Sequence, residues 1–177
     1  ALRLSYSRSG VVWEVAVSVY LFTFHAYGSW MPDHPRGYTK RKVGYQPTDV
    51  GVALKYRERQ KEEEVAFDEA LQREMVECVR EGCGKIECRL HACQTESSHV
   101  HVLVSWKHGR DWMSVRSSLK TALTKKLKEV EGRAVLSRGG SRKWVKSREH
   151  FDYLMTTYLP DHSGVGWYER TGWRQAR

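Results

Sequence analysis

The chain has 177 residues, of which 40% are apolar, and carries a formal net charge of +9 at pH 7. That length suits one domain with a real core, and no apolar run approaches the roughly 18 residues of a membrane-spanning helix. The opening ALRLSYSRSG lacks the apolar stretch of a secretory signal, so a soluble, cytoplasmic protein with reduced thiols is expected.

Residues 11–24, VVWEVAVSVYLFTF, are β-branched and aromatic and predict one long strand. The segment 25–42 holds Pro and Gly among aromatics and cations and predicts a loop. Trp30, Arg36, Lys40, Arg41 and Lys42 there suit either stacking bases and meeting phosphates or a packed surface loop. From Lys61 to Glu81, the apolar spacing Phe67, Leu71, Met75, Cys78, Val79 predicts a helix, with Gly82 at its C-cap. Next, IECRLHAC (86–93) alternates, with Ile86, Cys88, Leu90 and Ala92 on one face. QTESS (94–98) reads as a turn and HVHVLVSW (99–106) as the returning strand of a hairpin.

Asp111 is placed to cap a helix running to Glu131, buried along Met113, Leu119, Leu123 and Leu127 and carrying Lys120, Lys125, Lys126 and Lys128 elsewhere. A short strand, 143–146, comes next, and then a helix from Ser147 to Tyr158 near Pro160. The order β-α-β-β-α-β plus a C-terminal helix is that of an α+β, ferredoxin-like split-βαβ fold, an antiparallel sheet with two crossover helices. One domain over 1–177 is predicted, with a basic tail from about 163.

The four cysteines, Cys78, Cys83, Cys88 and Cys93, recur every five residues. Structural zinc sites favour two to four residues between paired cysteines. Cys88 and Cys93, an odd number apart on a strand, should face opposite ways, so structural thiols are expected. Between Lys107 and Arg148, thirteen Lys/Arg face three acids, Asp111, Glu129 and Glu131. A basic stretch of this kind is the footprint of a phosphate-backbone ligand, for which Lys120, Lys125, Lys126, Lys128, Arg142 and Lys143 are the candidate contacts. Trp30 or Trp112 would stack bases.

Strand alternation puts His99 and His101 on one face and Val100, Val102, Val104 and Trp106 on the other. The valine row belongs under the crossover helices, which turns the histidines to the open face. Two imidazoles at this spacing can share a divalent ion, but a third ligand must come from elsewhere. On the last helix Phe151, Leu154, Met155 and Tyr158 form one stripe, so Tyr158 should face the sheet, with His162 four residues on.

HVHVLV (99–104) resembles the HUH motif of single-strand-specific endonucleases. FDYLMTTYLPDH (151–162) resembles the catalytic helix of single-tyrosine insertion-sequence transposases, above all the REP-associated tyrosine transposases. TFHAYGSWMPDHPRG (23–37) is similar to an N-terminal block of that family. The resemblance implies Mg²⁺ or Mn²⁺ held by His99, His101 and His162. It also implies a Tyr158 nucleophile forming a 5′-phosphotyrosine intermediate, single-stranded or hairpin DNA as substrate, a homodimer and a nucleoid-associated protein. Two departures from the pattern stand out. Ser98 replaces the Asn or Asp common before the first histidine, and His162 replaces the usual Gln or Asn. Pro160 should end the helix near Tyr158, leaving His162 on a turn, and Tyr153, off the sheet-facing stripe, is the alternative nucleophile. A non-catalytic nucleic-acid-binding module on the same fold, a decayed transposase or RNA binder, is the other reading.

Overall fold

A computed structural model of the chain describes residues 2–7, 10–15, 17–35, 37–40, 43–60, 63–107 and 109–177. Arg36, Arg41 and Lys42 lie outside them. The run 11–24 is divided. β2 (Gly10–Val15) pairs with β1 (Leu2–Ser7) in a separate ribbon, while β3 (Ser18–His25) enters the main sheet. A small hairpin, β4 (Tyr38–Lys40) and β5 (Gly44–Gln46), and a helix, α1 (Val50–Glu58), come after β3. Then come α2 (Glu69–Lys85), β6 (Arg89–Glu96), β7 (His99–Trp106), α3 (Trp112–Glu131) and β8 (Ser141–Trp144).

The last helix, α4 (Arg148–Tyr153), continues into a π turn (Leu154–Tyr158), and β9 (Gly166–Tyr168) and β10 (Gly172–Arg174) close the chain. The basic tail expected from about 163 is thus a folded hairpin. The main sheet runs β10-β9-β6-β7-β3-β8, antiparallel between all neighbours. Its β8-β3-β7-β6 portion, with crossovers α2 and α3, is the split-βαβ arrangement, and β9 and β10 extend it beyond β6.

Local chemistry sets the element ends. Asp111 caps α3 by accepting from the Ser114 N–H at 2.9 Å, and Gly132 ends it in the left-handed conformation at φ 69°. Asp68, rather than a residue near Lys61, caps α2, accepting from the Leu71 N–H. Gly82 lies inside that helix, not at its C-cap. A Cβ there would stand 3.4 Å from Leu119 Cδ2, so the missing side chain lets α2 and α3 approach closely. On α3, Val115 rather than Met113 joins Leu119, Leu123 and Leu127 in the core; Met113 is exposed.

The sheet separates two apolar cores. Phe22, Phe24, Val100, Val102 and Val104 pack under α2 and α3, while Leu21, Ala92 and Leu103 meet Leu154 and Leu159 of the last helix. Pairing in β6 shifts between Leu90 and Ala92. This bulge turns Ala92 to the face opposite Leu90 and brings Cys93 into the same core as Cys88, contrary to simple alternation. All four cysteines are free, and burial pushes the Cys83 thiol up to about 12 and that of Cys88 to about 11.

Candidate active site

β7 aligns with β3 so that His99 stands opposite His25 and His101 opposite Thr23. On the face away from α2 and α3, the nitrogens of His99, His101 and His162 lie within 4.8 Å of one another. Among the described residues this is the one group of three such side chains close enough to hold a metal ion. Nε2 of His101 is 3.1 Å from Nε2 of His162, and the Tyr158 hydroxyl is 3.3 Å from His101 Nε2. Tyr153, on the same helix, is half-exposed, its ring 6.4 Å from that of Tyr158.

Each imidazole is held at its outer nitrogen. Ser98 Oγ is 2.9 Å from His99 Nδ1, Thr23 Oγ1 is 2.8 Å from His101 Nδ1, and the Tyr158 carbonyl is 2.9 Å from His162 Nδ1. A carbonyl only accepts, so His162 Nδ1 carries a proton and its Nε2 is the nitrogen turned to the cluster. The Nε2 atoms of His101 and His162 face each other at 3.1 Å, with the Thr23 hydroxyl behind His101 at its other nitrogen. Burial, then the neighbouring His25 and His162, lowers the His99 pKa to about 4. Burial, with His99, His162 and His25, lowers that of His101 to about 2. Both imidazoles are therefore neutral at pH 7, as metal ligands must be. The three-imidazole set fits a divalent cation, and the hydroxyls and carbonyl behind it are the orienting outer partners that such ligands have.

The chain past Pro160 is shaped by one wide turn. Leu159 N–H bonds to Leu154 O at 3.0 Å, five residues back, and Asp161 and His162 close onto Thr157 and Leu159 carbonyls. Pro160, lacking an N–H, thus ends the helix without diverting His162 from the cluster.

A polar clamp then fixes the strand beyond. Glu96 accepts from the N–H and hydroxyl of Ser163. The buried Gln94 amide donates to Gly164 O at 2.8 Å, and Gln72 Oε1 accepts from the Val165 N–H and the Thr95 hydroxyl, each at 2.8 Å. Burial raises the Glu96 carboxyl, but the two Ser163 donors, with His162 and His99 nearby, outweigh it and hold it below its ordinary pKa. Ser98, noted in the sequence as the residue before the first histidine, holds His99 Nδ1. The roles of Thr23, Gln94, Glu96 and Gly164 follow from cross-strand register and a distant hairpin, which carry no local signal.

The predicted DNA contacts are scattered. Trp30, 42% exposed, stacks on His34 with ring centres 4.0 Å apart and lies 5.2 Å from His25, at the edge of the histidine cluster. The buried His25 Nδ1 has no hydrogen-bond partner among the described residues. Lys120 donates to the carbonyls of Ser137 and Gly139. Lys126 pairs with Glu74 at 2.9 Å, and Lys125 and Lys128 are exposed. Because α3 covers the valine face, these three lysines lie across the sheet from the histidines. Arg142 sits 3.9 Å over the Trp112 ring, and Lys143 is exposed on edge strand β8.

The family profile described as "Transposase IS200 like" matches residues 53–147, more than half of the chain and including His99 and His101. The chain belongs to the IS200-like transposase family. Among solved structures, it is similar to a REP-associated tyrosine transposase bound to a REP hairpin (10% identity, TM-score 0.44, covering 85% of this chain and 67% of that one). It is also similar to a protein assigned as a transposase from Deinococcus radiodurans R1 (12% identity, TM-score 0.46, covering 89% and 98%). No curated protein matches it by sequence. The IS200-like match stops before the last helix, so Tyr158 and His162 stand on the geometry above. Among the described residues no helix is long and apolar enough to cross a membrane.

Proposed function

We propose that this IS200-like transposase is a metal-dependent endonuclease and strand transferase acting on single-stranded, hairpin-bearing DNA, with Tyr158 as its nucleophile. The observation that carries the reading is the Tyr158 hydroxyl 3.3 Å from Nε2 of His101, within a cluster of three convergent imidazoles. The Tyr158 oxygen attacks the scissile phosphorus, a phosphotyrosine bond forms at the 5′ end, and the bond to O3′ breaks. The proton lost by the phenol balances the one gained by the departing 3′-oxygen. Attack by that 3′-hydroxyl on the phosphotyrosine reverses the step and rejoins a strand, so no nucleotide cofactor is consumed. His99, His101 and His162 hold the divalent cation, which when bound supplies charge stabilisation and orientation at the phosphate. Three nitrogen donors suit Mn²⁺ better than Mg²⁺, which favours oxygen ligands. Thr23 and Ser98 keep the imidazoles in the tautomer that offers Nε2.

The test incubates the full chain with a pool of randomised-sequence DNA hairpins bearing single-stranded flanks and reads a covalent adduct on a denaturing gel. Adduct is expected at lower Mn²⁺ than Mg²⁺ concentration. It is lost in Tyr158→Phe, His99→Ala and His101→Ala and kept in Tyr153→Phe. A Tyr158→Phe variant that still forms adduct overturns the assignment. The homodimer implied by the resemblance is read by light scattering, as twice the 20.6 kDa chain mass.

A further inference from the structure

One polar row crosses the main sheet on the histidine face. Register sets Thr23 of β3 opposite His101 of β7 and His101 opposite Gln94 of β6. The row continues with Gln94 opposite Gly166 of β9, and Gly166 opposite Arg174 of β10. Side chains paired across strands share a face, and Tyr168, two residues along β9 from Gly166, stands on it too. Gln94 is fully buried and Tyr168 only 6% exposed, so both need hydrogen-bond partners. One end of the Gln94 amide meets three carbonyls: Gly164 at 2.8 Å, Thr95 at 3.2 Å and His162 at 3.4 Å. Carbonyls only accept, so the amide nitrogen must face them and the amide oxygen must face away. There the Tyr168 hydroxyl donates to that oxygen at 2.9 Å. The Tyr168 oxygen is left as an acceptor, and Arg174, which hydrogen-bonds the phenol, can only donate. Each member of the relay from Arg174 through Tyr168 to Gln94 thus has a single direction open to it. Gly166 makes the room, since a Cβ there would lie 2.2 Å from Gln94 Oε1.

We propose that Gln94 and Tyr168 are positioning residues for His162, oriented by Arg174 from the far edge of the C-terminal hairpin. At residue 162 the ring and N–H are tied to the Tyr158 and Leu159 carbonyls of the same segment, and the carbonyl reaches the sheet through Gln94. The β9–β10 hairpin therefore acts on the imidazole cluster at a distance, by fixing which way one buried amide points. Gln94 is also the cross-strand neighbour of His101, so the same amide stands between the second and third imidazoles. The consequence for a cation rests on the proposed metal role of His99, His101 and His162.

The experiment uses the full chain with Tyr168→Phe, which keeps the ring beside Leu154 and Leu159 and removes only the hydroxyl. Mn²⁺ binding by isothermal titration should weaken about tenfold, the low end for loss of an outer partner at a metal site. In a His162→Ala background the same substitution should cost nothing further, because its effect passes through that imidazole. Wild-type affinity in Tyr168→Phe, or an equal loss in both backgrounds, overturns the assignment. Histidine-selective ¹³C labelling reads the ring without metal. The His162 Cε1–H resonance, assigned by its absence from His162→Ala, should shift or broaden in Tyr168→Phe. Arg174→Met, at the half-buried end of the relay, should move the same resonance and serves where Tyr168→Phe does not fold. If the wild type binds no Mn²⁺ while both variants disturb the His162 signal, the metal reading falls and the positioning stands. If that signal is unmoved in both variants, the relay does not place His162.

Discussion

Replacing Gly164 by alanine tests how the third imidazole is delivered. A Cβ on Gly164 would lie 2.3 Å from the Thr95 carbonyl oxygen and 2.5 Å from Gln72 Oε1. Ordinary contact begins near 3.4 Å, and the Thr95 oxygen is backbone of β6, where Thr95 pairs with Val100 of β7, so rotation of a side chain cannot relieve it. The strand after His162 must therefore move outward by about 1 Å. That displacement breaks or stretches the Gln94 bond to Gly164 O (2.8 Å), the Val165 bond to Gln72 (2.8 Å) and the Thr95 N–H bond to Val165 O (3.0 Å). At about 1 kcal/mol for each hydrogen bond, the expected loss is about 3 kcal/mol of stability. His162, two residues upstream, is displaced with the strand, and Mn²⁺ affinity should fall with it. Urea unfolding gives the first quantity and isothermal titration with Mn²⁺ the second. An alanine variant with wild-type stability and wild-type Mn²⁺ affinity refutes the claim that this clamp places His162.

Two further outcomes rest on the same geometry. Metal-free protein should lose stability on acidification from pH 7.5 to 5: His99 has its pKa lowered from 6.5 to about 4, so the unfolded chain takes up the proton first. The pKa of His101 is lowered further, and each contributes a loss of about 2 kcal/mol at pH 5. His25 and His91, also lowered by burial, act in the same direction, while the depressed carboxyls of Glu96 and Glu169 contribute only at lower pH; urea midpoints that stay flat or rise in this window contradict the buried neutral imidazoles. Thr23→Val keeps the shape of the side chain but removes the hydroxyl partner of His101 Nδ1, and should weaken Mn²⁺ binding by about 10- to 100-fold, with Thr23→Ser restoring most of it in the same titration.

The parts legible in the sequence are those with a local signature. Period-two alternation placed the valines of β7 under the helices and the histidines on the other face, and Asp111 marked the start of a helix read to Glu131, where α3 ends. The aromatic and aliphatic stripe of the last helix turned Tyr158 inward. The parts that were not legible depend on pairing between distant residues. A single inserted residue in β6 flips Ala92 relative to Leu90, and no propensity scale registers a bulge. The three-residue strands β9 and β10 are too short for periodicity, and α1 buries little besides Ala53, so it shows no apolar face. Lys126 read as a phosphate contact because its partner, Glu74, lies on another helix.

The clamp around residues 162–166 has a consequence for the life of the chain. His99 and His101 are in place once β6 and β7 pair, but the third imidazole arrives only when a segment some sixty residues later is made and docked. Local opening of that segment alone would leave a paired sheet with an incomplete ligand set, so the proposed metal centre is only as stable as the clamp that closes it.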